Sequence, residues 1–168
     1  QAVIDRFDEI AAELEIPEVL HSIVDAVTAV VEAQIIDNVM YRDSVKAMGE
    51  DSSARVVASY LNSTGHKAVY CNPQECGLFL EHNDMGKAVI LDESYDNLSG
   101  LVKDDETIYV FPGFFGYSKS GQIITFSRGG SDITGSILAA SVGADVYENW
   151  TDVDNVFAVN PNLVKNRD

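Results

Sequence analysis

Apolar residues recur at steps of three and four through Ile4, Phe7, Ile10, Ala11 and Leu14, the period of a helix, and Pro17 stops that segment after Ile16. The same texture predicts a second helix from about Glu18 to Ile36. A third apolar pattern runs through Val45 and Met48, is interrupted at Gly49, and resumes at Val56, Val57, Tyr60 and Leu61. Ser63-Thr64-Gly65 is a helix stop, and Ala68-Val69-Tyr70 reads as a short strand. Residues 1–65 are therefore expected to be mainly helical.

After Cys71 the pattern shortens. Gly77 to Leu80 and Ala88 to Leu91 read as strands, Tyr95 to Val102 as a helix, and Thr107 to Phe111 as a buried strand ended by Pro112-Gly113. A glycine turn, Gly113-Phe114-Phe115-Gly116, precedes the strand Ile123 to Phe126. A helix from about Asp132 to Val142 then leads through Gly143 to a strand over Asp145 to Trp150. Strand, glycine turn, helix, strand in that order predicts an α/β fold with a largely parallel sheet over 66–168. With no repeat, low-complexity tract or linker, residues 1–168 read as a single domain.

Composition narrows the choice of partner. The 27 acidic and 11 basic side chains give a formal charge of −16, which repels nucleic acid and anionic membrane surfaces. Any bound anion must then be held by a few local donors. Cys71 and Cys76 lack the spacing of a zinc site and read as free thiols, and no constellation surrounds His21, His66 or His82. The apolar runs fall well short of the roughly 20 residues of a membrane span, and no secretory signal opens the chain, so a cytoplasmic protein is expected.

The chemistry concentrates in three loops: Gly113 to Gly116, Arg128 to Asp132 and Thr151 to Asp154. In an open parallel sheet, ligands collect where such loops and helix starts converge. In Ser127-Arg128-Gly129-Gly130-Ser131-Asp132, glycines let the backbone approach a ligand and Ser131 can cap the following helix. Exposed N–H groups at that helix start favour an anion, and Arg128 offers a planar fork for carboxylate or phosphate. The plainer alternative is a tight turn with Ser131 as a cap and Arg128 paired to Asp132. G-x-G-x-x-G and the Walker pattern are both absent, which argues against a Rossmann oxidoreductase and a P-loop kinase.

The run F-P-G-F-F-G-Y-S-K-S-G-Q-I-I-T-F-S-R-G-G-S-D-I-T-G, followed by G-A-D-V-Y-E-N-W-T-D-V-D-N-V-F-A-V-N-P, resembles the catalytic domain of aspartokinases, within the amino acid kinase family. That family pattern is a glycine turn, then G-R-G-G-S-D-x-T, then T-D-V-D-G-V. The match is close from Thr107 to Val164 and looser from Lys46 to Tyr60, where A-M-G-E resembles the family's G-E segment.

The resemblance implies a three-layer α/β/α fold and transfer of the ATP γ-phosphoryl, with Mg2+, to the side-chain carboxylate of L-aspartate. The product would be 4-phospho-L-aspartate, at the entry to lysine, threonine and methionine synthesis. It implies that Arg128 meets a substrate carboxylate and Glu50 the substrate ammonium group. Gly129 and Ser131 would line the same pocket with Phe114 beside it, and Asp132 would organise the reacting centre. Thr151, Asp152 and Phe157 would serve the nucleotide, Mg2+ would ride on its phosphates, and the enzyme would be a homo-oligomer. Trp150 is expected to pack rather than to meet a ligand.

The sequence also departs from the pattern. The family's K-F-G-G strand, whose lysine contacts the transferring phosphoryl group, does not occur in these residues. The family's ACT regulatory domains would lie beyond Asp168. The resemblance thus implies an interior portion of a catalytic domain, with little turnover of its own. Asn155 stands for the usual glycine, and Asn160-Pro161-Asn162 for D-P-R. Two rival readings are a kinase of the same family acting on glutamate, acetylglutamate, carbamate or a nucleotide, and a non-catalytic ligand-binding relative.

Overall fold

The computed structural model describes residues 1–33, 37–127 and 129–150. The first half is helical: α1 (Ala2–Glu13), α2 (Val19–Glu32) and α3 (Asn38–Ser63). Helix α1 stops where Glu15 takes a left-handed conformation (φ 58°), just before Pro17. Helix α3 starts at Asp37, whose carboxylate accepts the backbone N–H groups of Val39 and Met40 at 2.8 and 3.0 Å. Gly65 (φ 89°) ends it.

Gly49 interrupts the apolar pattern but not the helix, and α3 runs through it to the expected stop at Ser63-Thr64-Gly65. One glycine in a helix interior costs about 1 kcal/mol relative to alanine, which the packing of a 26-residue helix outweighs. Ala11, Ile16, Val19, Ile23, Val27 and Val56 form the core that joins the three helices.

The strands are short: β1 (Ala68–Tyr70), β2 (Leu80–His82), β3 (Ala88–Ile90), β4 (Ile108–Val110), β5 (Phe115–Tyr117) and β6 (Ile123–Thr125), with α4 (Glu93–Ser99) between β3 and β4 and α5 (Gly130–Val142) after β6. Strands β1 and β4 pair in parallel, Ala68 opposite Ile108 and Tyr70 opposite Val110. The other two pairs, β2 with β3 and β5 with β6, are antiparallel, and a parallel bridge from Phe79 to Tyr117 joins them. Among the described residues the one parallel strand ladder is that of β1 with β4, which are separated in sequence by a crossover containing α4. Strand β4 is also more open than expected, since Ile108 is 42% exposed.

Strand alternation explains the layering. On β6, Ile124 joins the core that Leu78, Leu80 and Phe126 make with Leu98 of α4 and Ile137 of α5. The next residue, Thr125, points the other way and bonds to Asp43 of α3. Helices therefore cover both faces of the strands, α1–α3 on one side and α4–α5 on the other.

Residues 145–150 do not form the expected strand. Val146 and Trp150 are 72% and 88% exposed, so among the described residues the segment finds no ladder partner, and Trp150 is not buried. The segment instead runs back over α5, where the Tyr147 hydroxyl donates to the carbonyl of Asp132 at 3.4 Å.

Candidate active site

Two turns meet at the head of α5. Strand β4 leads through Pro112 to Gly113 and Phe114, and β6 leads through Phe126 and Ser127 toward Gly129. The Phe126 N–H donates to the Phe114 carbonyl at 2.8 Å, which fixes the first turn against the strand entering the second. The Phe114 N–H donates to the Thr134 hydroxyl at 3.1 Å, and that hydroxyl donates to the Gly130 carbonyl at 2.9 Å. Thr134 is fully buried and bridges the two turns from inside α5.

The glycines are required by close approach. A Cβ on Gly130 would stand 2.7 Å from Phe126 Cβ and 2.8 Å from Phe114 Cδ2. One on Gly113 would stand 3.0 Å from Cα, Cβ and Oγ of Ser131. Phe114 itself is held at φ 77°, a conformation that a bulky side chain adopts only when its surroundings dictate it. The expected site residues Phe114, Gly129, Ser131 and Asp132 are therefore brought together.

Ser131 does not cap α5. Gly129 is the N-cap residue, in a left-handed conformation (φ 83°), with no side-chain hydrogen bond. A left-handed N-cap turns the chain sharply, placing Ser131 inside the first helical turn, where its exposed hydroxyl lies beside Gly113. The first intrahelical bond of α5 at this end runs from Ile133 N–H to the Gly129 carbonyl at 3.1 Å. With no side-chain cap, the N–H groups before it remain directed outward, at the positive end of the helix dipole. Asp132 is exposed in the same turn and accepts from the Asn149 amide at 3.1 Å.

Glu50 comes from α3. It lies on one stripe of α3 with Asp43, Ala47 and Ala54, two turns after Asp43. Those three are buried against the strands, yet Glu50 is exposed. Among the described residues, no hydrogen bond or ion pair links Glu50 directly to the turns. Arg128, Thr151, Asp152 and Phe157 lie outside the described residues.

Three groups around the site were not singled out from sequence. Thr134 is the bridge just described, Asp43 grips β6, and an Asp51–Arg55–Tyr70 network ties α3 to β1. Arg55 Nε lies 2.8 Å from Asp51 Oδ2, the Tyr70 hydroxyl donates to Asp51 Oδ1, and the guanidinium sits 4.2 Å above the Tyr70 ring. Burial first, then the Asp51 carboxylate, pushes the Tyr70 hydroxyl well above the usual phenol range, so it stays a proton donor. The one sequence signal for Asp43 is its seven-residue spacing from Glu50, which places both on one helix face.

A cavity of about 510 Å³ lies elsewhere, along the β1–β4 face beside the C-terminal end of α4. Cys71 and Cys76 both line it and are free thiols. A hydrogen bond between them lowers the Cys71 thiol, while the same bond and then burial raise that of Cys76. None of the expected site residues lines this cavity. Among the described residues no helix is long and apolar enough to cross a membrane, and no three His, Cys, Asp or Glu side chains gather to hold a metal ion.

An α/β core flanked by helices, with two glycine turns pressed together at a helix head, defines a class that comparison with known proteins makes explicit: the chain belongs to the amino acid kinase family, whose model matches residues 3–168. Within that family it is similar to aspartokinase 3 of Bacillus subtilis (strain 168), 48% identical over 167 residues, covering 99% of this chain and 36% of the relative. The chloroplastic aspartokinase 1 of Arabidopsis thaliana is 33% identical over 129 residues, 74% of this chain and 22% of the relative.

Among solved structures, the aspartate kinase of Clostridium acetobutylicum superposes with a TM-score of 0.68 at 28% identity, over 99% of this chain and 35% of that one. E. coli aspartokinase III, in complex with aspartate and ADP in its R-state, gives 0.66 at 24% identity over 89% and 33%, a likeness of fold. The chain thus has the amino acid kinase fold and spans between a fifth and just over a third of the length of these relatives.

Proposed function

We propose that this chain carries the substrate side of an aspartate kinase, transferring the γ-phosphoryl group of ATP to the side-chain carboxylate of L-aspartate to give 4-phospho-L-aspartate. That reaction opens the synthesis of lysine, threonine and methionine. The observation that carries the reading is the apposition of Gly113–Phe114 with Gly129–Ser131 at the uncapped head of α5, in a chain similar to aspartokinases along 99% of its length. One such structure, at the level of fold, holds aspartate and ADP.

The chemistry suits these residues. An aspartate side chain, with an unperturbed pKa of about 3.9, is already ionised near neutral pH, so no strong general base is needed. A carboxylate oxygen forms the new bond to the γ-phosphorus as the bond to the β,γ-bridging oxygen breaks, and the electron pair leaves with ADP. Catalysis then reduces to holding two anions in line and offsetting their charge.

Arg128 and the N–H groups of the Gly129–Ser131 turn hold the α-carboxylate. Glu50 holds the ammonium group, Phe114 closes the pocket, and Asp132 orients the reacting end. Thr151, Asp152 and Phe157 serve the nucleotide. Asp132 offers exposed hard oxygens of the donor type that fits Mg2+. Mg2+ carried on the ATP phosphates supplies charge neutralisation that a chain of net charge −16 otherwise lacks.

Hydroxylamine trapping of the acyl phosphate, in the full-length chain that carries residues 1–168, tests the reading. Aspartate-dependent hydroxamate is expected, and Arg128→Ala should lower kcat/KM for aspartate by about 100-fold or more, the scale of a lost charge-assisted clamp in a closed site. Product that forms without aspartate, or full activity of the variant, would overturn it. A panel of glutamate, acetylglutamate, carbamate and nucleotides separates aspartate from the other acceptors of the family.

A further inference from the structure

Asp43 is 6% exposed, in the second turn of α3. Taking a carboxylate out of water costs several kcal/mol unless partners compensate, and an apolar residue would pack there without that cost. The partners are specific. Oδ1 accepts from the Thr125 hydroxyl at 2.9 Å and Oδ2 from the Thr125 N–H at 3.2 Å, while Lys46 Nζ stands 3.5 Å away at the surface.

Both bonds go to one residue, and that residue is the last of β6. The next residue, Phe126, bonds to Phe114, and the chain then enters the turn at Gly129. Asp43 therefore grips the strand where it feeds the glycine turns, from the stripe of α3 that also carries Glu50. On the other flank of Glu50, the Asp51–Arg55–Tyr70 network fixes α3 to β1. Glu50 is exposed between two polar joints.

We propose that Asp43 is a positioning residue: its joint to Thr125 sets the distance between Glu50 and the Gly129–Ser131 turn, and so lets one substrate present its ammonium group and its carboxylate together. This rests on the aspartate reading above. A hydrophobic contact at this point would hold the two elements together but would let them slide. Two hydrogen bonds to the backbone and side chain of a single residue fix the register as well.

The test is steady-state kinetics of the full-length chain with Asp43→Ala, Asp43→Asn and Thr125→Val, alongside Ile23→Ala as a variant that loosens the helical core away from the joint. Asp43→Ala should raise KM for aspartate about tenfold or more while KM for Mg-ATP stays within about twofold, because only the amino-acid end is displaced. Asp43→Asn can accept from the Thr125 N–H and donate to its hydroxyl, so it should recover most of the wild-type aspartate KM. Thr125→Val keeps the backbone bond and should show about a threefold rise.

A folded Asp43→Ala whose aspartate KM is unchanged, or whose two KM values rise together as in Ile23→Ala, would overturn the inference. Should Asp43→Ala fail to fold, Thr125→Val decides, with an unchanged aspartate KM counting against it. A wild-type chain without aspartate-dependent turnover would overturn the functional reading and this inference with it, whereas wild-type turnover with an unmoved KM in the variants overturns this inference alone.

Discussion

Around Ile23 the molecule is packed by side chains, and around Gly130 it is packed by backbone. In the helical half, Ile16, Ile23 and Ala11 are wholly buried among apolar neighbours, and the helices can adjust by small rotations of side chains. At the head of α5, Gly130 is wedged between Phe114 and Phe126, and Gly116 lies so close to Leu78 that a Cβ would meet its carbonyl oxygen at 2.8 Å. The Phe126 Cβ and the Leu78 carbonyl move only with the main chain. The first region supplies stability that tolerates variation, and the second supplies a fixed geometry that does not, which is what a site for two charged ligands requires.

The largest expected effect is on the helical side. Ile23→Ala should cost about 2–5 kcal/mol of stability, read by denaturant unfolding, because the emptied volume lies in a closed core. It should leave the turn geometry, and with it the ratio of the two KM values, unchanged. A shift in that ratio would erase the distinction between the regions.

Alanine at two glycines sharpens the contrast next. Gly130→Ala should destabilise by about 1–3 kcal/mol and abolish most activity, because both neighbours are fixed. Gly49→Ala, on the exposed face of α3 with nothing within 4 Å of the added methyl, should instead stabilise by roughly 0.5–1 kcal/mol. Effects of the same sign at the two positions would contradict the backbone-packing account.

The smallest effect concerns a surface joint between β1 and β4. Hydrogen bonds from Thr107, then Lys67 at 3.3 Å, hold Asp104 down to about 2, below its ordinary 3.8. A lowered carboxylate contributes stability that is present above the ordinary value and is lost as pH falls through the folded one. The thermal midpoint of wild type should therefore exceed that of Asp104→Asn near neutral pH, and the gap should close between about pH 4 and pH 2. A gap independent of pH would remove the joint.

The helices were legible because three- and four-residue periodicity is a local property: α2 falls inside its expected span, and α1 and α5 each begin within two residues of their expected starts. Gly49 breaks the apolar pattern without breaking the helix, because a glycine's cost is local while the packing that offsets it comes from α2 and β6. The strand expected over 145–150 failed for the converse reason, since alternation cannot supply a partner. The turns at Gly113 and at the head of α5 were legible by motif, whereas Thr151 to Asp154 lies outside the described residues; the place of Ser131 in its turn was not legible. Whether a serine caps a helix or stands in its first turn depends on the conformation of the preceding glycine, here left-handed.

By itself the sequence determined the helical first half and the glycine turns, all set by residues near one another in the chain. Only the tertiary structure decided that Thr134 bridges two turns, that β1 pairs in parallel with β4, and that Asp43 closes on Thr125 across 82 positions. Such contacts depend on which faces meet after the chain has folded. Periodicity can place Asp43 and Glu50 on one side of a helix, but only packing against β6 and β1 leaves one buried and the other exposed.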